Sequence, residues 1–95
     1  MNVRAVHKTS RSVVLLWNMP AKPNGKIVNY IVSYRQATSS KPEYEVTTLM
    51  FLKIENLHPY REYILQVNAA TSKGPGPYSD ELNVWTYPDS KYKNL

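Results

Sequence analysis

Two segments of this chain alternate with a period of two. In Ile27–Arg35, Tyr30, Val32 and Tyr34 fall on one side, and Asn29, Ile31, Ser33 and Arg35 on the other. In Tyr63–Ala70, Tyr63, Leu65, Val67 and Ala69 share a side opposite Ile64, Gln66, Asn68 and Ala70. A helix repeats every ~3.6 residues and would scatter both sets, whereas a pleated strand keeps alternate side chains on one face. Each segment therefore reads as a strand with one buried and one wet face. Shorter strands read out around them: Val3–Val6, Ser12–Trp17, Tyr44–Thr48, Phe51–Ile54 and Leu82–Thr86, which makes seven in all. Turn residues separate them, in Pro23-Asn24-Gly25-Lys26, in Leu57-His58-Pro59 and in Gly74-Pro75-Gly76-Pro77. Proline sets φ and lacks an N–H, and glycine enters left-handed conformations at no steric cost. Thr71–Tyr78 accordingly reads as an irregular loop. No connection holds a crossover helix, so the strands are antiparallel. The chain predicts an all-β sandwich or barrel.

The residues at several of these positions resemble the fibronectin type III family. Leu57-His58-Pro59-Tyr60-Arg61-Glu62-Tyr63 followed by Leu65, Val67 and Ala69 resembles its Leu-x-Pro segment, with a tyrosine and alternating apolar residues. Trp17 with Pro20 resembles its second-strand tryptophan, and Pro23–Tyr34 its loop into the third strand. Gly74-Pro75-Gly76-Pro77-Tyr78-Ser79 and Val84-Trp85-Thr86 resemble its sixth loop and last strand. The resemblance spans about Val3 to Pro88. It implies a seven-stranded antiparallel immunoglobulin-like sandwich over residues 1–88, with 89–95 as a linker or tail. It also implies that Trp17 fills the centre beside Tyr34, Ile54 and Leu65, and that the Tyr63 hydroxyl returns to backbone near Leu57. Trp17, Tyr34, Leu57 and Tyr63 are the structural core residues of this reading. The Pro-Asn-Gly turn resembles repeats of receptor-type tyrosine phosphatases and neural adhesion receptors. The integrin-binding Arg-Gly-Asp of some family members has no counterpart in Thr71–Pro77, and the paired Trp-Ser box of cytokine receptors is also missing.

Composition narrows the function. The 95 residues suffice for one domain. There are no cysteines, which removes disulfides, thiolate metal sites and thiol nucleophiles. The two histidines, His7 and His58, fall on different segments, and no catalytic or phosphate-binding motif occurs. Glu43 and Glu45 share one face of a strand and read as guards of a sheet edge, not an acid–base pair. The chain therefore reads as non-catalytic, with no cofactor, metal or nucleic acid partner. The net charge of +5 comes from scattered basic residues and reads as a solvated surface.

Met1-Asn2-Val3-Arg4 lacks the apolar stretch of a secretion signal, no apolar run spans a bilayer, and no Asn-x-Ser/Thr acceptor occurs. The leading expectation is a piece of a larger protein. Its function would be that of a structural and protein-interaction repeat in the extracellular part of a single-pass membrane receptor or adhesion protein, or of a secreted one. The alternatives are a cytoplasmic repeat of a giant muscle or cytoskeletal protein, and a module with weak affinity for heparan-type glycans. Expected partners are adjacent domains of the parent chain and a protein ligand, with the isolated domain monomeric and not membrane-inserted. Lys73 and Tyr78, flanking the stiff Gly-Pro-Gly-Pro stretch, are the candidate partner-binding residues, because a stiff loop loses little entropy on binding. Tyr60, Tyr87, Tyr92 and Trp85 read as surface aromatics, for contact or for interdomain packing.

Overall fold

The computed structural model describes residues 1–23 and 25–89. Asn24 and the expected tail from Ser90, with Lys91, Tyr92 and Lys93, lie outside the described residues. The strands are β1 (Arg4–Lys8), β2 (Val13–Leu16), β3 (Ile27–Gln36), β4 (Glu43–Thr47), β5 (Phe51–Ile54), β6 (Glu62–Thr71), β7 (Gly74–Tyr78) and β8 (Leu82–Trp85). The two long alternating segments become β3 and β6, which pair in the middle of the larger sheet. That sheet runs β4-β3-β6, with β7 and β8 both laid along the far edge of β6. The smaller sheet runs β1-β2-β5. Every pairing is antiparallel.

The inward faces meet as the alternation requires. Val13, Leu15, Trp17 and Ile54 come from the smaller-sheet side. Tyr30, Val32, Tyr34, Tyr63, Leu65, Val67, Ala69 and Val84 come from the larger. Burying one such aliphatic side chain contributes about 1.5–3 kcal/mol. Trp17 sits at the end of β2, where its backbone N–H donates to Met50 O at 3.0 Å. Its aromatic partner is Tyr30, edge-on with ring centroids 5.6 Å apart. The sequence reading set Tyr34 beside it. The register places Tyr34 opposite Leu65 and Tyr30 opposite Ala69, four residues apart along the same face.

Two expectations about the last third of the chain need correction. Gly74–Tyr78 is a strand, not an irregular loop. Gly74 takes φ +118 at the turn, and Thr71 closes it, its Oγ1 donating to Gly74 O at 3.1 Å and accepting from Lys73 N at 3.2 Å. Pro75 and Pro77 are tolerated because β7 is an edge strand, where an N–H is not needed on both sides. The strands among the described residues are thus eight, not seven, with Ser79-Asp80-Glu81 separating β7 from the expected last strand, β8. Ser79 anchors the break: its N–H donates to Val67 O at 2.7 Å, and its Oγ accepts from Val67 N at 2.9 Å.

The strands define two poles. At the first lie the loops after β2, β4 and β6, and the start of the chain, where Asn18 N donates to Met1 O at 2.7 Å. At the second lie the turns after β1, β3 and β5, and Asp89, paired with Arg11 at 3.3 Å.

Candidate functional site

The second pole is locked by two hydroxyls acting on the backbone of one residue, His58. Tyr63, buried in β6, accepts from His58 N at 2.9 Å. Thr86, buried just past β8, donates from Oγ1 to His58 O at 2.7 Å and accepts from Arg61 N at 3.0 Å. Leu57, which begins this turn, is buried, and its N–H donates to Arg11 O at 3.0 Å. The turn is tight enough to hold Asn56 and Tyr60 at φ +62 and +48, a region that costs a bulky residue energy unless neighbours over-determine it. Tyr34 reaches toward the other side, its hydroxyl donating to Glu45 Oε2 at 3.2 Å. Burial first, then the Glu45 and Glu43 carboxylates, push its pKa up to about 12.

Lys73 and Tyr78 do not form one site. Lys73 is exposed at the first pole, its stem beside Gly25. Tyr78 ends β7, opposite Asn68 on the outer face of the larger sheet. There it meets a residue the sequence reading passed over. Tyr44 of β4 and Tyr78 are 64% and 65% exposed and flank a groove of about 220 Å³. Ser33, Arg35, Ile64, Gln66 and Glu81 line it. The signal for Tyr44 was present: Tyr44 and Val46 alternate with Glu43 and Glu45, and a strand whose glutamates point inward must turn its tyrosine out. The groove pairs two exposed aromatic rings with an arginine and a carboxylate, the kind of surface that supplies contact area with few rotatable bonds.

A second aromatic group lies beside the locked turn. Trp85, 48% exposed, packs on Tyr60 with ring centroids 5.3 Å apart, so part of its surface is covered by an aromatic ring. Lys8 lies across from it, its Nζ donating to Trp85 O at 2.8 Å and sitting 4.9 Å from the Tyr87 ring centroid. Among the described residues no group of three or more His, Asp or Glu side chains is placed to hold a metal ion. His7 is on β1 and His58 at the second pole. Among the described residues no helix is long and apolar enough to cross a membrane.

The model of the fibronectin type III domain matches residues 1–85. Receptor-type tyrosine-protein phosphatase F of Bos taurus is 37% identical over 89 residues, covering 92% of this chain and 5% of that protein. Cell adhesion molecule DSCAML1 of Gallus gallus is 36% identical over 86 residues, covering 86% of this chain and 4% of that protein. The chain therefore spans a small fraction of these relatives, which are multidomain receptor and adhesion proteins. Among solved structures, the solution structure of a human contactin 1 domain superposes with a TM-score of 0.83 at 24% identity, covering 94% of this chain and 76% of that one. Titin domains superpose at 0.81 and 24% identity, covering 90% and 30%. With a two-sheet antiparallel sandwich, a family match over nearly its whole length and relatives above a third identical, the chain belongs to the fibronectin type III family.

Proposed function

We propose that this domain is a non-catalytic spacing and protein-binding repeat in the extracellular part of a cell-surface receptor or adhesion protein. The observation that carries the reading is the identity of 36–37% to receptor phosphatase F and DSCAML1 over most of the chain. The likeness to titin, at 24%, speaks for the fold alone. The module is taken as residues 1–88, with 89–95 as the link onward. Its closed end agrees with this, since Thr86 is buried and Tyr87 N donates to Thr9 O at 3.2 Å. Adjacent domains of the parent chain bear on the two poles. A protein ligand is met by the outer face of the larger sheet at Tyr44 and Tyr78, with Lys73 a separate contact at the first pole. An antibody raised against the folded domain tests the compartment: it labels intact cells producing the parent protein. Labelling only after permeabilisation overturns the reading and favours the intracellular one.

A further inference from the structure

The edges of the two sheets are not guarded alike. β4 follows Pro42 and carries Glu43 and Glu45, and Glu45 is tied back to Tyr34. β5 carries Lys53, and β7 carries Pro75 and Pro77. β1 is interrupted by a bulge between Ala5 and His7. Charges, prolines and bulges are the devices that stop a foreign strand from pairing. β8, Leu82-Asn83-Val84-Trp85, has none of them.

Its free side can be worked out. Thr86 N donates to Arg61 O at 3.0 Å, toward β6, whereas Trp85 O accepts Lys8 Nζ at 2.8 Å, away from it. Backbone groups alternate in direction along a strand, so the N–H and C=O of Asn83 face the same way as those of Trp85. That side opens on a cleft of about 700 Å³ between β1 and β8, lined by Arg4, Val6, His7, Lys8, Trp85 and Tyr87 with their immediate neighbours. The strands are joined at its closed end by Tyr87 N to Thr9 O. Among the described residues no carboxylate side chain lines the cleft. Glu62, opposite Trp85 on β6, is engaged with Asn83 Nδ2 at 3.2 Å.

We propose that β8 accepts an extended segment of a partner protein as an added strand, laid in the cleft with carboxylates facing Arg4 and Lys8. The partner's backbone pairs with Asn83 and Trp85. Its own N–H replaces the Lys8 ammonium at Trp85 O, which frees that charge for a carboxylate. Main-chain pairing supplies the affinity and the cationic, aromatic walls the selectivity. This site is distinct from the Tyr44–Tyr78 groove and stands or falls separately from it.

The test selects random peptides displayed on phage against the folded 95-residue chain. Enriched peptides are expected to carry carboxylates at alternate positions and to shift the amide signals of Asn83 and Trp85. N-methylation of one set of alternate peptide amides should weaken binding by about tenfold or more, and methylation of the other set should not, because only one set meets β8. Asn83→Pro removes an N–H that β6 does not use and should weaken binding by a similar factor, while Asn83→Ala preserves it. Should Asn83→Pro fail to fold, the methylated peptides decide. No enrichment, binding mapped to the Tyr44–Tyr78 groove, or indifference to methylation overturns the proposal.

Discussion

The two hydroxyls bonded to the His58 backbone can be removed almost without changing shape. Tyr63→Phe deletes one oxygen and takes from the part-buried His58 N–H its only bonded partner among the described residues. Losing such a bond costs about 1–3 kcal/mol. Thr86→Val keeps volume and branching but orphans both His58 O and Arg61 N, so by the same measure it costs more, about 2–4 kcal/mol. The two losses are not independent. Both side chains hold one turn, and once either lets go the turn can open and rehydrate the remaining groups. The double variant should therefore lose less than the sum of the single losses, by about 0.5 kcal/mol or more. Urea unfolding followed by tryptophan fluorescence reads this directly: with a slope of about 1–3 kcal/mol per molar, the single variants move the midpoint by roughly 1 M. A strictly additive double variant, or either single variant with an unmoved midpoint, refutes the clamp.

Three further outcomes are expected. Gly76→Ala drives a Cβ into Ala69 O, so β7 must retreat; a loss of about 1–3 kcal/mol is expected, with amide exchange accelerated in β7. Trp17→Ala empties the centre and should cost about 3–5 kcal/mol by denaturant unfolding. Tyr34, whose pKa is raised by burial and the Glu45 and Glu43 carboxylates to about 12, binds its proton more tightly folded than unfolded. Its contribution is complete below pH 10 and is lost as the pH rises toward 12, so the urea midpoint should fall across that window, and Tyr34→Phe should flatten the fall.

The sandwich was legible because its central strands obey one simple rule. Alternation in β3 and β6 sorts inward from outward residues without knowledge of their partners, and Trp17, Leu57 and Tyr63 mark where the core lies. What sequence reasoning could not see depends on pairing. Gly-Pro-Gly-Pro looks hostile to a strand because its glycines and prolines are judged one residue at a time. On an edge only one side must bond, and Gly76 is required where β7 passes close over Ala69. Thr86 gave no signal of its own: as a small alternating residue it reads as the end of a strand, and its work is done by an oxygen aimed at a turn 28 residues away in sequence. Tyr44 and Tyr78, separated along the chain, become one groove only through the order β4-β3-β6-β7.

Tension applied between Met1 and Asp89 reaches the sandwich as shear. The two chain ends leave from opposite poles, so β1 is drawn along β2 and β8 along β6, and the bonds of each ladder are loaded together. On the β6 side the load meets the bonds of Thr86 and Tyr87 to the turn before β6 and then the four residue pairs of β8, because Ser79-Asp80-Glu81 separates them from β7. Behind that break Ser79 grips Val67 through both its backbone and its hydroxyl. The last crossing therefore yields in two steps: β8 slips first, and β7 stays seated until Ser79 is torn free. A domain pulled by its ends should lengthen by a short first increment before full rupture, and Ser79→Ala should merge the two events into one. The interruption works as a ratchet tooth, giving slack under a brief pull while the greater part of the core stays closed.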